Sequence, residues 1–458
     1  MKQPMNILLV NPKSRINAFE SFGFVFPPLG LLYIAATTEK AGHKVTIEDF
    51  CVSATKPSAY DLGAFDVVGI SSNTRRCTDA LDIAKKAKKN GCRVVMGGPH
   101  PAFADEEILR SGFVDYIVRG EGEITFPELL NAISSGGDIS AVRGISYYKN
   151  GKIIRTQQAD LIENLDSLPF PARHLVDMDL YKRRGLKYGG KRPMAVLSSS
   201  RGCPHSCNFC ITPQMYGKRW RARSASSVMA EIEEVYYKYG YRAIAFCDDN
   251  FTASPQRVKE LCTMITEKEL DLWWWCLSTS NVILHNEEMV KLMAESGAKT
   301  VYLGVESANP DTMKEFNKGI TMETPFKAVD ILRRNGIQTF ASYIIGGLNE
   351  DVRTILRTVR FASKLDTEVA QFTILTPYPG TALYHKIEGS LRHRKWHLYD
   401  GFHLVFRHGK VSFVMMELLL IWAYVSFYAR GLGAVRGFMK VFIKNSRMLR
   451  RLMGTPAE

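Results

Sequence analysis

The stretch RGCPHSCNFC at residues 201–210 places three cysteines on one short loop, directly after the apolar run MAVLS at residues 194–198. Cys203, Cys207 and Cys210 follow a C-x3-C-x2-C spacing, and cysteine thiolates are soft ligands that suit zinc, copper(I) or iron–sulfur clusters. A closed structural zinc site needs a fourth ligand. His205 could supply it, but structural zinc ligands usually form two separated pairs, and no second C-x-x-C follows. The stretch therefore predicts a metal centre with an incomplete set of protein ligands.

A [4Fe–4S] cluster held by three cysteines keeps one iron free to bind a small molecule. The spacing, with the aromatic Phe209 just before the third cysteine, resembles the signature of the radical S-adenosylmethionine enzymes. In that family the open iron chelates S-adenosylmethionine, and one electron cleaves the sulfonium to give a 5′-deoxyadenosyl radical. The resemblance implies a cluster on Cys203, Cys207 and Cys210, a cofactor contact from Phe209, and an electron donor such as flavodoxin or ferredoxin. Zinc and a redox or structural thiol cluster remain alternatives.

The composition describes a multidomain globular protein with a basic excess. The chain has 458 residues, of which 46% are hydrophobic, and a net charge of +14. This length and hydrophobic share exclude a disordered protein and predict two to four domains. The charge favours an anionic partner, but much of the excess lies near the carboxyl terminus, so no nucleic-acid binding is expected.

The cysteine count indicates a reducing compartment. Nine cysteines are an odd number, and the six outside the trio are scattered singly. They form no disulfide framework, and no secretory signal with a cleavage site opens the chain. A cytoplasmic protein is therefore expected, in an anaerobic or microaerobic host because an open cluster is oxygen-sensitive.

The amino-terminal part alternates strands and helices. Apolar runs at 5–12, 44–48, 66–71, 93–98 and 115–118 predict five strands, with helices at 30–36 and 78–89. This alternation predicts an α/β, doubly wound, Rossmann-like domain over residues 1–145, with its ligand at the carboxyl ends of the strands.

Glycine-rich segments follow two of these strands, GGPHP at 97–101 and RGEGE at 119–123. A response-regulator or nucleotide-binding domain is one interpretation. The pair of segments resembles the cobalamin-binding domain at the amino end of many radical S-adenosylmethionine enzymes. The resemblance implies cobalamin contacts from Gly97, Gly98, His100, Gly120 and Glu121. The D-x-H-x-x-G pattern is absent, so no protein histidine is expected on cobalt, and His100 is equally well a turn residue between two prolines.

A linker with a hairpin is expected over residues 146–190. Asn150-Gly151 suits a type I′ turn between two short apolar runs, and the role of this hairpin is expected to be connective. Prolines punctuate residues 165–173, which places a domain boundary near residue 190.

The second domain repeats strand–helix units over residues 191–400. Strands are predicted at 194–198, 243–246, 275–279, 300–305, 339–345 and 370–375. Six such units fit the partial (β/α)6 barrel that the family resemblance implies, which carries its active-site groups at the carboxyl ends of the strands.

Polar and glycine residues follow these strands, and the resemblance implies contacts from them to S-adenosylmethionine. Those expected near its amino group, ribose, carboxylate or adenine are Asp248, Asp249, Ser278, Asn281, Glu306, Ser307 and Gly346. Carboxylates after strands also cap helices, so a structural role is the alternative.

Two further groups carry open interpretations. The basic residues Arg219, Arg221 and Arg223 suit either a carboxylate of cofactor or substrate or a solvated loop. The tryptophan run at 273–275, placed before the third strand, suits either a broad apolar substrate cavity or core packing at the barrel rim.

The resemblance covers about residues 5–380. It implies the class of cobalamin-dependent radical enzymes that includes methyltransferases acting on unactivated carbon and anaerobic magnesium-protoporphyrin ester cyclases. The expected reaction is methyl transfer to a hydrophobic, lipid-like or tetrapyrrole substrate or to a secondary metabolite. No catalytic side chain is assigned beyond the cluster ligands and cofactors. Radical cyclisation, oxidation or carbon–carbon joining is an alternative, and a non-catalytic cobalamin or iron–sulfur sensor is an alternative of another class.

The carboxyl-terminal region, residues 401–458, is expected to be helical. Residues 411–429 are apolar apart from Glu417, and basic residues alternate with apolar ones over 435–452. A packed helical subdomain, a helix lying on the anionic inner face of the membrane and a membrane span are the three interpretations. Membrane attachment would favour a lipid or another hydrophobic substrate.

Overall fold

The structure is a computed structural model that describes residues 3–13, 25–319 and 321–429. Two seven-stranded sheets make up its core. The first sheet has the strand order β2-β1-β3-β4-β5-β6-β7, parallel from β2 to β5. Its strands are β1 Asn6–Asn11, β2 Lys44–Asp49, β3 Val67–Ser71, β4 Arg93–Gly97, β5 Tyr116–Val118, β6 Ile145–Lys149 and β7 Lys152–Arg155. The helices of this domain are α1 Leu29–Lys40, α2 Cys77–Lys89, α3 Pro99–Phe103, α4 Asp105–Arg110 and α5 Gly122–Ser135.

The central strand β1 explains why helices cover both faces of this sheet. Its apolar residues alternate between two cores, with Ile7 and Leu9 in one and Leu8 and Val10 in the other. A strand that is apolar on both faces must be covered on both, which requires a doubly wound arrangement. The predicted fold class is confirmed here.

The hairpin β6–β7 extends the first sheet, which corrects the expectation that it is only connective. Asn150 and Gly151 adopt φ values of 49° and 80°, as a type I′ turn requires. β6 then pairs antiparallel with β5, so the hairpin adds two strands to the edge of the sheet. Arg155 and Ser146 on this hairpin both donate to the carboxylate of Asp105.

The second sheet has the order β16-β15-β14-β13-β12-β9-β8 and curls into an open half-barrel. Six of its strands are parallel, as predicted, and β8 pairs antiparallel with β9. The strands are β8 Lys187–Tyr188, β9 Arg192–Leu197, β10 Ser200–Arg201, β11 Arg221–Ala222, β12 Ala243–Phe246, β13 Trp273–Ser278, β14 Ala298–Glu306, β15 Gln338–Ile345 and β16 Val369–Ile374. Of these, β10 and β11 form a separate two-stranded ribbon.

Helices follow the strands of the half-barrel and start at clear capping signals. Asp351, for example, forms a capping box with Thr354, and Ser254 caps a helix whose first residue is Pro255. The helices are α6 Met178–Arg184, α7 Thr212–Tyr216, α8 Ala225–Glu233, α9 Pro255–Glu267, α10 Ser280–His285, α11 Glu287–Glu295, α12 Pro310–Glu315, α13 Thr324–Arg334, α14 Val352–Leu365, α15 Ala382–Ile387 and α16 Phe413–Tyr428. A π-helical turn at Glu234–Lys238 continues α8.

The tryptophan run lies within the third barrel strand and not before it. Because side chains alternate along a strand, the run divides between the two faces of the sheet. Trp274 is fully buried in the large core, whereas Trp273 and Trp275 lie half-buried on the opposite face, beside Met194 and Val196. Trp274 therefore has the core-packing role, and the substrate-cavity interpretation stays a prediction for the other two.

The apolar carboxyl-terminal stretch forms α16, which packs beside α14 and against β16. Its buried side chains include Met416, Leu420, Ala423 and Phe427, as the packed-subdomain interpretation expects. No helix in the described part of the chain combines the length and apolarity that crossing a bilayer requires. The predicted basic segment at 435–452 lies outside the described residues.

Candidate active site

The cysteine loop begins where the ribbon strand β10 ends. Gly202 adopts a φ of 86°, and a Cβ there would lie 2.0 Å from the carbonyl oxygen of Arg219, so only glycine fits. Asp249 ties both ends of the loop together. Its carboxylate accepts hydrogen bonds from the Gly202 amide at 3.2 Å and from the Thr212 hydroxyl at 2.9 Å.

The three predicted cysteines are free thiols, each partly exposed. Burial raises the pKa of Cys207 to about 11 and also raises those of Cys203 and Cys210. Cys203 and Cys210 also raise the pKa of Cys207, because the three thiols lie close enough to interact electrostatically. Metals bind the thiolate, so metal binding here must release protons. The described residues hold no group of three or more His, Cys, Asp or Glu side chains gathered tightly enough for a single metal ion.

The segment that follows β14 packs against the cysteine loop and hydrogen-bonds to it. Phe209 packs edge-on against Phe316, with the ring centroids 5.0 Å apart. Asn208 donates to the carbonyl oxygens of Phe316 and Glu315, and Asn317 donates to Ser206. Phe209 thus holds the loop in place by packing.

Lys318 places a buried ammonium group beside the cysteines. It donates to the Glu306 carboxylate at 2.6 Å, and its charge lowers the pKa of Cys207. Burial pushes the pKa of Lys318 down, but Glu306 and Cys207 more than offset this, so it is raised overall. Gly304 makes room for the pair, because a Cβ there would lie 2.5 Å from the Glu306 carboxylate and 2.8 Å from the ammonium group. The sequence analysis missed Lys318. Its signal is a lysine, one of two with Lys314, in the segment after the strand that carries Glu306.

The two predicted aspartates after β12 lie in different surroundings. Asp248 is fully buried and accepts hydrogen bonds from the Ser199 amide at 2.7 Å and the Ser200 hydroxyl at 2.7 Å. Burial raises its pKa, which these bonds and Arg257 partly offset. Asp248 therefore fixes the end of β9, whereas Asp249 reaches the cavity between the domains.

The remaining predicted residues lie at the ends of the next three strands. The Ser278 hydroxyl is 2.6 Å from that of Thr252, and Asn281 donates to the Gly319 carbonyl at 3.3 Å. Ser307 donates to Glu350 at 3.1 Å, and the Gly346 amide donates to the other oxygen of the same carboxylate at 2.9 Å.

Glu350 is a second residue that the sequence analysis missed. Its buried carboxylate also accepts from Thr312 at 3.1 Å and from the Gly347 amide at 3.1 Å. It therefore joins the ends of β14 and β15 at one point. The signal in the sequence is a carboxylate four residues after Gly346, within reach of the amides of a glycine turn.

A cavity of about 390 Å³ lies at the carboxyl end of the first sheet and opens between the two domains. From the first domain Gly97, Gly98, Gly120 and Glu121 line it, as the resemblance implies. From the second domain its lining includes Ser198, Ser200, Arg201, Tyr216, Cys247 and Asp249. The cavity therefore connects the glycine edge of the first sheet with the residue that ties the cysteine loop.

Two of the glycines that line this cavity have no room for a side chain. Gly98 adopts a φ of 102°, and a Cβ there would lie 2.6 Å from the Ser72 carbonyl oxygen. Deeper in the sheet, a Cβ on Gly69 would lie 2.8 Å from the Leu9 side chain. The deep end is apolar and is formed by Leu9, Leu31, Ile34, Val95 and Phe126. No histidine is among the described residues that line the cavity.

His100 lies outside the lining of the cavity. Its buried ring packs against Trp396 with centroids 4.8 Å apart, and its Nδ1 lies 3.2 Å from the Thr74 hydroxyl. Burial lowers its pKa to about 4. The structure therefore favours a packing role for His100 over a cofactor contact.

The predicted arginines contact carboxylates of the protein itself. Arg221 donates to Glu121 at 2.8 Å and Arg223 pairs with Glu231, and both arginines are buried. Arg219 makes an exposed pair with Glu163. The solvated-loop interpretation is therefore wrong for Arg221 and Arg223, which are buried and pair with carboxylates across the fold.

Glu121 and three partners form what we call the interdomain clasp. The Glu121 carboxylate accepts from Arg201 at 2.8 Å, from Arg221 at 2.8 Å and from the Ile162 amide at 2.8 Å. Arg201 also pairs with Glu123 at 2.5 Å. Burial raises the pKa of Glu121, but Arg221 and Arg201 lower it further, so it is lowered overall. The clasp links the first domain to the start of the cysteine loop.

Comparison with known proteins assigns the two halves of the chain. A model of the radical SAM superfamily matches residues 197–362, and a model of the B12 binding domain matches residues 18–130. An uncharacterized methyltransferase of Pyrococcus horikoshii is 38% identical over 435 residues, which cover 93% of each chain. The chain belongs to the B12-binding radical SAM family.

Two similar proteins are named as methylating enzymes, and a solved methyltransferase shares the fold. A bacteriochlorophyllide d C-12(1)-methyltransferase of Chlorobaculum tepidum is 29% identical over 88% of this chain and 83% of its own length. A hopanoid C-3 methylase of Methylococcus capsulatus is 29% identical over 82% of this chain and 72% of its own length. The methyltransferase TsrM of Kitasatospora setae, solved with cobalamin and a [4Fe-4S] cluster, shares the fold with a TM-score of 0.68. It is 21% identical and covers 84% of this chain and 75% of its own.

The chain is therefore a radical SAM enzyme of the methyltransferase or cyclase class, with a [4Fe–4S] cluster, S-adenosylmethionine and cobalamin as cofactors. The residues present fit these groups. Three soft ligands share a loop with a buried cation beside them. The first sheet lines the cavity with glycines at its carboxyl edge and with an apolar recess.

Proposed function

We propose that this enzyme transfers a methyl group to an unactivated carbon of a hydrophobic, polycyclic molecule of the lipid or tetrapyrrole kind. The supporting observation is the cavity that joins the glycine edge of the first domain to Asp249. A corrin on the glycine edge would share one chamber with the cluster loop, as methyl transfer after hydrogen abstraction requires.

The three cysteines are proposed to hold the cluster, which supplies the electron that cleaves S-adenosylmethionine when both are bound. Lys318 adds a positive charge beside the cluster and suits the carboxylate of that cofactor. A barrel presents its ligand contacts at the carboxyl ends of its strands. The predicted residues at or just after those ends are Ser278, Asn281, Glu306, Ser307 and Gly346. Asp249 and Phe209 position the loop. A small one-electron donor of the flavodoxin or ferredoxin type is the proposed partner.

Gly97, Gly98 and Gly120 line the cavity and are proposed to admit the corrin, because glycine lets a ligand approach the backbone closely. Glu121 lines the same cavity, but its carboxylate oxygens already accept bonds from Arg201 and Arg221. Its proposed role is to hold the edge in place. The proposed divisions are a cobalamin domain at 1–145, a linker at 146–190, the barrel at 191–400 and a carboxyl-terminal region at 401–458.

The inner face of the half-barrel supports a hydrophobic substrate. Trp275, Tyr302 and Phe340 are half-buried there at alternating strand positions, whereas Trp273 lies at the amino end of β13 beneath Arg192. Tyr302 and Phe340 pack with ring centroids 4.9 Å apart. Aromatic walls are typical of pockets for flat apolar ligands. The names of relatives that methylate a hopanoid and a bacteriochlorophyllide agree with this choice.

The cluster assignment is tested by replacing each of the three cysteines with alanine. Each variant, purified and reconstituted without oxygen, is expected to lose bound iron and sulfide and to form no 5′-deoxyadenosine under a strong reductant. Cys262→Ala, a buried cysteine of α9, is the matched control and is expected to keep both. Full cluster content in any of the three variants, or stoichiometric zinc in the parent protein, would refute the assignment.

The reaction class is tested in a deletion strain by mass spectrometry of lipids and pigments. The expected result is loss of one compound and accumulation of its partner lacking a single CH2 unit. Feeding methionine with a deuterated methyl group should label the product in the parent strain. A partner that differs only by hydrogen atoms would contradict methyl transfer and indicate cyclisation or oxidation.

A further inference from the structure

Helix α16 presents apolar side chains to solvent as well as to the barrel. Its buried face holds Met416 and Leu420, whereas Val414, Met415, Leu418 and Trp422 lie 41–54% exposed. These four residues fall on one side of the helix at positions i, i+1, i+4 and i+8. A helix that only packs on a barrel needs one apolar face, so this second face indicates another contact.

The neighbouring helix α14 carries a stripe of positive charge. Arg353, Arg357, Arg360 and Lys364 are all exposed and recur at positions i, i+4, i+7 and i+11, which fall on one face. Helix α14 contains no acidic residue. Among the residues that the structure describes, none of the four has an ion-pair partner.

The two helices pack side by side, which places these faces next to each other. The groove between them has a volume of about 690 Å³, and Leu356, Val359, Arg360, Leu418 and Trp422 are among its lining residues. A row of cations beside an exposed aliphatic and tryptophan surface is typical of elements that lie at a membrane interface. The cations meet anionic headgroups, and the apolar residues enter the acyl boundary.

We propose that this surface docks on an anionic phospholipid bilayer. It is formed by Arg353, Arg357, Arg360 and Lys364 of α14 and by Met415, Leu418 and Trp422 of α16. We call it the α14–α16 face. The proposal goes beyond the methyl-transfer function and does not rest on it. It also differs from attachment through the basic segment after residue 429, because it assigns the contact to helices of the barrel wall.

The charge pattern decides between the candidate occupants. Residues 430–458 contain seven Lys or Arg residues and one acidic residue, Glu458, so this segment would bring like charge onto the α14 stripe. A second copy of the same face would do so as well. An anionic bilayer complements both the basic stripe and the apolar residues beside it.

The experiment uses the full-length protein with vesicles of phosphatidylcholine alone or mixed with phosphatidylglycerol. Cosedimentation is expected only with the anionic vesicles and should weaken as salt is raised. The double variant Arg357→Gln/Arg360→Gln is expected to lose affinity about thirtyfold, the effect of two headgroup contacts. A control pair in the first domain, Arg110→Gln/Lys149→Gln, should bind as the parent does.

The apolar residues of this face are tested with the double variant Leu418→Gln/Trp422→Gln, which is expected to weaken vesicle binding at least tenfold. The control is Ile124→Gln, which replaces an exposed apolar residue of α5 and should leave binding unchanged. Trp422 is the most exposed of the six tryptophans, so the difference in fluorescence between parent and Trp422→Phe isolates its signal. This signal is expected to shift to the blue on anionic vesicles and to be quenched by brominated lipid.

Four outcomes would overturn the proposal. The face variants could bind vesicles as the parent does, which would assign attachment to residues 430–458. Trp422 could be shielded from acrylamide in the absence of lipid, which would show that this segment or a second copy covers the groove. A dimer that dissociates in Leu418→Gln/Trp422→Gln would identify the second copy. Shielding of Trp422 by an acidic flavodoxin but not by vesicles would identify a protein partner.

Discussion

At the scale of single residues, His100 shows how packing overrides a motif. The sequence GGPHP places this histidine at the carboxyl edge of a ligand-binding sheet, yet its ring turns away from the cavity and packs on Trp396 from the far end of the chain. Burial without a charged partner favours the neutral imidazole, which is why its pKa is lowered to about 4.

This lowered pKa predicts an acid sensitivity of the first domain. The unfolded chain binds a proton at His100 below about pH 6.5, whereas the folded protein binds it only below about pH 4. The stabilising effect of a neutral His100 is therefore lost as the pH falls through this window, by about 2 kcal/mol between pH 7 and pH 5. Urea unfolding of His100→Gln should show a correspondingly smaller decrease over the same range. Equal decreases in both proteins would contradict the assignment.

Single residues were predictable where local spacing carries the chemistry. The three cysteines need only one loop, so their spacing identifies them without knowledge of the fold. Lys318 and Glu350 carry no such pattern, because each acts on residues that other strands supply. Asp248 and Asp249 are adjacent in sequence and cannot be distinguished there. Only the backbone conformation after β12 decides that Asp248 lies in the core and Asp249 at the cavity.

At the scale of elements, α16 protects the open edge of the half-barrel. β16 is the last strand of its sheet, so the backbone groups on its outer side have no further strand to pair with. The Tyr424 hydroxyl accepts from the Phe372 amide at 3.2 Å and donates to the Phe372 carbonyl at 2.9 Å. Tyr428 does the same for Ala370, at 3.1 Å and 2.9 Å.

Removing the Tyr424 hydroxyl is therefore expected to destabilise the barrel. Tyr424→Phe leaves a buried amide and carbonyl without partners, at a cost of about 1–3 kcal/mol in the free energy of unfolding. Thermal unfolding should show the loss, and the Phe372 amide should exchange its hydrogen faster. Tyr384→Phe is the control, since that hydroxyl makes only a 3.4 Å contact with Glu388. Unchanged exchange at Phe372 would show that α16 does not protect the edge.

Elements were predictable from periodicity, whereas their partners were not. Alternation and apolar runs located all six parallel strands of the half-barrel and the first five strands of the amino-terminal sheet. The hairpin β6–β7 was recognised from Asn150-Gly151, but no local signal told whether it would stand alone or join β5. Likewise, the apolar sequence of α16 suits a bilayer, a surface or a barrel wall, and only the tyrosines facing β16 show that one of its faces packs on the sheet.

At the scale of the whole molecule, the interdomain clasp couples the two cofactor domains. Arg201 and Arg221 lie directly opposite each other in the β10–β11 ribbon, an arrangement that is unfavourable for like charges. Glu121 of the first domain contacts both guanidinium groups and neutralises this repulsion. The ribbon leads directly into the cysteine loop, so the shape of this loop depends on a carboxylate that also lines the cavity between the domains. Glu121 is 80 positions from Arg201 and 100 positions from Arg221 in the chain. Contacts between residues so far apart leave no pattern in the sequence.

The clasp predicts that Glu121→Gln damages both ends of the active site at once. The neutral amide leaves the buried Arg221 without a carboxylate partner, opposite Arg201, which keeps Glu123. Breaking a buried ion pair in this way costs on the order of 3–5 kcal/mol. The variant is expected to unfold at lower urea concentration and to take up less iron on reconstitution, although all three cysteines remain. Glu163→Gln, which removes the exposed partner of Arg219, is the matched control and should behave as the parent does. If Glu121 served only as a cobalamin contact, Glu121→Gln would lower corrin affinity while leaving urea unfolding and iron content of the cobalamin-free protein unchanged. That result would show that the two domains are not coupled through this carboxylate.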